Sequence, residues 1–205
     1  MRLLDVGCGL GGAARYFAHE HGCHVSGIDL SCEYVAVANA LAARVGLDKQ
    51  VSCQQGSALE LPFAEGGFDG AYMFHVGMNI EDKSRLFREV RRIMTASGVF
   101  GIYDVMRIAD GDLSYPVPWA SGPESSFVAD AASYRRLLVA EDFEVLKERD
   151  RRYFALEVFA QMRARGAAAG PGPLGLHIVM GASAAQKIRN MIGDISSGLI
   201  APTEL

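Results

Sequence analysis

The stretch Leu3-Leu4-Asp5-Val6-Gly7-Cys8-Gly9-Leu10-Gly11-Gly12 leaves this chain few ways to fold. An apolar run meets a glycine cluster, and Ala13-Ala14-Arg15-Tyr16-Phe17-Ala18 then reads as a helix. That order is strand, tight turn, helix. Glycines at such a turn let backbone approach a ligand closely, and the helix N-terminus offers it unpaired N–H groups. Gly7, Gly9 and Gly12 satisfy the pattern G-x-G-x-x-G, which is a weak signal alone. Asp5, ahead of the first glycine, narrows the choice. A carboxylate there repels a pyrophosphate and suits a cationic ligand such as an amino group.

The chain then alternates. His24 to Ile28 reads as a second strand ending in Asp29, an acidic residue placed to hydrogen-bond ribose hydroxyls, with Leu30 and Ser31 beside it. Asp29 or Ser31 also suits the cap of a helix from Glu33 to Val45, whose apolar face is Val35, Ala38, Leu41, Ala42 and Val45 and which stops at Gly46. Val51 to Gln55 and Gly70 to Phe74 are further strands. Ser84 to Met94 is an amphipathic helix with Leu86, Phe87, Val90, Ile93 and Met94 inward and an arginine-rich solvated face. Ser97-Gly98 reads as a turn before a buried strand from Val99 to Val105. A helix from Ser133 to Glu141, a sixth strand from Phe143 to Glu148 and a helix from Tyr153 to Arg165 complete the alternation. Gly166 to Gly175 reads as a flexible connector, His177 to Ser197 as a helix broken at Gly181, and Leu199 onward as the start of a last strand. Such alternation predicts an α/β fold, a Rossmann-like doubly wound sheet of mostly parallel strands with helices on both faces. Residues 1–205 are expected to form one domain, with a lid or acceptor insertion at 106–126 and a helical C-terminal part at 153–198.

With its flanks, D-V-G-C-G-L-G-G resembles the nucleotide-loop motif of class I S-adenosylmethionine-dependent methyltransferases. L-P-F at 61–63 followed by F-D at 68–69 is a frequent pairing in the same family. The stretch Phe68 to Val105 looks most like its small-molecule members, of the sarcosine/dimethylglycine and ubiquinone-biosynthesis type. The resemblance implies a methyltransferase that binds S-adenosylmethionine and releases S-adenosylhomocysteine. It assigns the cofactor to Asp5, Gly7, Cys8, Gly9, Gly11, Asp29, Leu30, Ser57, Ala58 and Phe74. Ser57 stands where the family usually has an acidic residue touching the adenine amino group. Family members usually place helices ahead of the first strand to cover the cofactor, whereas here that strand follows Met1, so either the chain is truncated or started late or the fold does without that cover. A second subunit, a homodimer, is one way to close such a site.

Residues after a strand's carboxyl end face the crevice of an open α/β sheet. His75, Met78, Asn79 and Asp104, with Trp119 from the long loop, are therefore the expected acceptor contacts. His75 and Tyr103 are the candidates for proton transfer, with a packing role for His75 the equal alternative. A net charge of -4 without a Lys/Arg stripe argues against nucleic acid, and no apolar run is long enough to span a membrane. Cys8, Cys23, Cys32 and Cys53 show no CxxC spacing, as expected of reduced thiols in a cytoplasmic protein. His19, Glu20, His21 and His24 match no established zinc spacing, so no metal is expected. The function expected is methyl transfer to a small organic acceptor at N, O or C; the alternative is an idle domain of the same fold that binds the cofactor or a partner.

Overall fold

The computed structural model describes residues 1–169 and 175–205. In chain order the elements are β1 (Arg2–Val6), α1 (Gly12–His21), β2 (His24–Asp29), α2 (Cys32–Arg44), β3 (Val51–Gln55), β4 (Phe68–Phe74) and α3 (Lys83–Ile93). Then come β5 (Met94–Arg107), α4 (Ala131–Ala140), β6 (Arg149–Asp150), α5 (Arg152–Ala169), α6 (Leu176–Met180), α7 (Ala184–Ser196) and β7 (Ile200–Glu204). All strands join one sheet in the order β3-β2-β1-β4-β5-β7-β6. β1 to β5 run parallel, and β7 enters antiparallel between β5 and β6. This is the doubly wound α/β sheet the alternation predicts. Strand order reverses between β1 and β4, so a crevice opens at their carboxyl ends.

Each face is covered by side chains whose size suits their helix. α3 buries Leu86, Phe87, Val90 and Ile93 completely, against Met73 of β4 and Ile102 and Met106 of β5. Burial of each such side chain stabilises the fold by about 1.5–3 kcal/mol. On the other face α1 and α2 present Ala14, Ala18, Ala38 and Ala42, small residues that let both helices lie close to β1, β2 and β3. Local caps fix the helix starts. The side chains of Ser31, Asp82 and Asp130 accept from the backbone N–H groups of Tyr34, Arg85 and Ser133.

Several expectations need correction. The arginine-rich side of α3 is more than a solvated face. Arg92 pairs with Glu89 and donates to the carbonyls of Leu61 and Phe63, at 2.9 and 2.8 Å, so it pins the L-P-F segment beneath the sheet edge. No turn interrupts the chain at Ser97-Gly98. β5 starts at Met94, and a register shift against β4 between Phe68 and Gly70 absorbs the extra residues. Past the buried Met94, its first half is not buried either, because β7 pairs only with the second half, and Val99 is 64% exposed.

The expected strand from Phe143 to Glu148 does not form, since β7 reaches only Arg149 and Asp150. Between this segment and the outer edge of β5 lies a cavity of about 1120 Å³, walled by Phe100, Phe143, Val145 and Leu146 and reaching His75 and Tyr103 at its rim. Val45 is exposed rather than part of the α2 face. α5 extends through residues 166–169 of the expected connector; residues 170–174 lie outside the described residues. Among the described residues no helix is long and apolar enough to cross a membrane.

Candidate functional site

The glycine loop between β1 and α1 is shaped by backbone hydrogen bonds to β2. Gly7 and Cys8 both donate to the carbonyl of Ile28, at 2.8 and 2.9 Å. Gly9 donates to Oδ2 of Asp29 at 2.8 Å, and Ser31 donates to Oδ1 at 3.0 Å. One carboxylate therefore joins the loop to the start of α2. Gly7 has φ 72°, and a Cβ there would lie 2.4 Å from Cγ2 of Val76, so only glycine fits. A Cβ on Gly9 would meet nothing within 4 Å, which leaves the crest of the loop open to a ligand. Gly11 caps α1 with no side-chain bond, as befits a helix start that faces a ligand opening.

Asp5 lies beneath the loop at the end of β1, opposite Tyr72 of β4. It is 3% exposed. Neither its Oδ2 nor the Tyr72 hydroxyl has a hydrogen-bond partner among the described residues. Burial raises the Asp5 carboxyl to about 7; the Tyr72 hydroxyl is close enough to temper that rise, and the negative charge of Asp29 adds to it. Two unsatisfied polar atoms at the floor of an open loop invite a polar ligand. The nearby carboxylates make a cationic group the fitting one.

The other expected cofactor residues surround this opening. Leu30 is 73% exposed at the end of β2, an apolar surface held by Gln55, which donates to its carbonyl. Ser57 turns its hydroxyl into its own chain, accepting from Leu59 N–H at 3.1 Å, with Ala58 half-buried beside it. Phe74 stacks on Tyr72 with ring centroids 5.0 Å apart.

On the β4 side, His75 stands in the left-handed region at φ 60°. Its N–H donates to the Tyr103 carbonyl at 2.8 Å, and its ring meets the Tyr103 ring edge-on at 4.9 Å. A non-glycine residue held in that conformation is a mark of functional sites. The protein packed around its ring pulls the His75 imidazole below its ordinary pKa, whereas burial pushes the Tyr103 phenol up. The shift favours the neutral imidazole at His75 and the protonated phenol at Tyr103. Asn79 is exposed.

Two expected acceptor contacts are instead internal. Asp104 is fully buried, accepts from the Tyr134 hydroxyl at 2.7 Å and from Val105 N–H, and faces the core. Met78 packs into a separate cluster with Val105, Leu113, Met191 and Ile195. Met78 is buried within the short 3₁₀ turn Gly77–Asn79, whereas Asp104 is buried within β5 itself. Trp119 packs against that cluster and donates to Ser126 Oγ at 3.0 Å. Its loop is held by α7: Ser114 donates twice to Asp194, and Asn190 donates to the Pro116 carbonyl.

Sequence reasoning missed Tyr72 and Val76. Tyr72 was findable, since a tyrosine two residues before the strand end shares a face with Phe74. Among the described residues no group of three metal-ligating side chains occurs.

The family described as methyltransferase domain matches residues 4–102. A sterol 24-C-methyltransferase from Gibberella zeae is 33% identical over 104 residues, 51% of this chain and 27% of its own length. An ajmaline N-methyltransferase from Rauvolfia serpentina is 40% identical over 96 residues, covering 47% of this chain and 33% of that protein. The chain thus spans about a third or less of these curated relatives. A phosphoethanolamine N-methyltransferase from Haemonchus contortus, solved with S-adenosyl-L-methionine, superposes with a TM-score of 0.80 at 21% identity. That match covers 100% of this chain and 47% of the other, and it speaks to the fold alone.

Proposed function

We propose, from the match of residues 4–102 to the methyltransferase-domain family, that this chain transfers a methyl group from S-adenosylmethionine to a small organic acceptor. The observation carrying this reading is Asp5, a buried carboxylate with an unpaired oxygen below an open glycine loop. A dinucleotide phosphate would be repelled there. The α-ammonium of the cofactor would be held by Asp5, its ribose by Asp29 and its adenine over Leu30. When bound, the cofactor supplies an electrophilic methyl on a sulfonium.

The residues' part is positioning and proton handling. In-line displacement needs the acceptor atom held against the methyl, and confinement supplies much of the rate. Phe74, His75, Tyr103 and Asn79 border the space where that acceptor would lie. His75 takes the proton of a hydroxyl or ammonium acceptor, and Tyr103 fixes it by a hydrogen bond. Calorimetry with S-adenosylmethionine, S-adenosylhomocysteine and NAD, followed by an acceptor screen read by S-adenosylhomocysteine release, tests the reading. Binding of NAD alone would overturn it, and so would cofactor binding without turnover of any C-, N- or O-acceptor.

A pH dependence follows from Asp5. Its pKa near 7 means the carboxyl is part-protonated at neutral pH, while a cationic ligand favours the ionised form. Binding therefore releases a proton, and affinity for S-adenosylmethionine should rise from pH 6 to 8, by up to about tenfold per unit below the pKa. Isothermal titration across that range checks it. Asp5→Asn should bind more weakly with a flat profile; a slope that survives in this variant would assign the proton elsewhere.

A further inference from the structure

The mechanism leaves two buried thiols under the glycine loop unused. Cys8 lies in the loop between Gly7 and Gly9, and Cys53 in the middle of β3, with β2 between their strands. The β2 residue paired with Cys53 is Gly27. A Cβ on Gly27 would lie 2.8 Å from Cys8 Cβ, from Cys8 Sγ and from Cys53 Sγ. Both sulfurs thus occupy the space over one absent side chain, and any residue but glycine would part them. Both cysteines are free and buried.

Their backbones differ in freedom. Cys53 is clamped by Asn39, whose side chain accepts from its N–H at 2.9 Å and donates to its carbonyl at 2.8 Å. Cys8 belongs to a loop containing three glycines at positive φ. Cys8 Sγ donates to the Gly9 carbonyl at 3.9 Å; the neighbouring Cys53 thiol, burial and the charges of Asp5 and Asp29 push Cys8 up, and the neighbouring Cys8 thiol pulls Cys53 down. Cys53 is therefore the sulfur that ionises first, and the thiolate is the nucleophilic form.

We propose that Cys8 and Cys53 are a modification site, oxidised by a peroxide to a disulfide that locks the glycine loop and closes the cofactor pocket. In the first step the Cys53 thiolate attacks a hydrogen peroxide oxygen. The O–O bond breaks, the leaving hydroxide becomes water by taking up a proton, and Cys53 is left as a sulfenic acid. The Cys8 sulfur then attacks that sulfur, the S–O bond breaks, and a second water departs carrying the Cys8 proton. Two thiols and one peroxide give one disulfide and two waters.

A disulfide draws the two Cβ atoms to about 3.8 Å. Because Cys53 is clamped, Cys8 must move across Gly27. That motion pulls Gly7, Cys8 and Gly9 off Ile28 and Asp29, the partners that give the loop its ligand-binding shape. Only this consequence rests on the cofactor reading; the disulfide itself does not.

The test treats the full chain with hydrogen peroxide and follows three readouts. Intact mass should fall by two hydrogen atoms, and maleimide labelling in denaturant should drop from four cysteines to two. Peptide mapping should join Cys8 to Cys53. Affinity for S-adenosylhomocysteine should fall about tenfold or more, as expected when several backbone hydrogen-bond donors are displaced, and return with dithiothreitol. Cys53→Ser and Cys53→Ala should both bind before and after peroxide. A link through Cys23 or Cys32, no link at all, or a Cys8–Cys53 link that leaves affinity intact would each overturn the proposal. Failure of the reduced protein to bind S-adenosylhomocysteine would instead sink the cofactor reading, while mass and mapping still decide the disulfide.

Discussion

Replacing Asp29 by alanine should weaken S-adenosylhomocysteine binding by about 1–3 kcal/mol, about 5- to 150-fold in Kd, the range for hydrogen bonds lost from a charged group. Two separate effects combine. The carboxylate is placed at the end of β2 where ribose hydroxyls would donate to it. It also accepts from Gly9 N–H, so its removal releases the crest of the glycine loop that must meet the ligand. Asp29→Asn keeps one oxygen acceptor and should fall between the two. Calorimetry gives the affinities, and a denaturant melt shows that the fold persists. Wild-type affinity in a folded Asp29→Ala protein would remove Asp29 from the site. A loss confined to binding rate would leave it as a loop anchor alone.

Asp29 also shows what a sequence exposes and what it hides. Strand, glycine turn and helix are encoded by neighbours in the chain, so β1, the loop and α1 follow from residues 2 to 21 with no tertiary information. The acidic end of β2 is legible because parallel strands of similar length bring their carboxyl ends level. Side-chain direction in the loops after β4 and β5 is different. His75 and Met78 share a loop, yet one rims the cavity and the other sits in the core, because His75 adopts φ 60° and the next residues turn in a 3₁₀ helix. Nothing local in the sequence announces that conformation.

Pairing is equally non-local. Phe143 to Glu148 has strand-forming residues but no ladder beside it, and propensity without a partner yields no strand. Arg92 reads as one more surface arginine until the fold brings the Leu61 and Phe63 carbonyls within reach, 31 and 29 residues away.

Gly77→Ala should be strongly destabilising. The glycine lies on the buried bond between Tyr134 and Asp104, and a Cβ there would stand 2.4 Å from the Tyr134 hydroxyl oxygen and 2.5 Å from Asp104 Oδ2. Neither group can retreat. Tyr134 and Asp104 are both fully buried, and Met73 Cε closes the remaining side at 3.1 Å. Burial already raises the Asp104 carboxyl to about 6, a shift tempered by the Tyr134 hydroxyl and by the charge of Lys83. Lys83 in turn holds both ends of this region through the Ile80 and Phe127 carbonyls, at 2.8 and 2.6 Å. Overpacking and loss of the buried bond together should cost about 2–5 kcal/mol. Tyr134→Phe, which removes the bond without adding volume, should cost about 1–3 kcal/mol. Urea unfolding of the two variants measures the difference. If Gly77→Ala proved no less stable than Tyr134→Phe, the turn would have room to shift, and its seat against Tyr134 and Asp104 would not be tight.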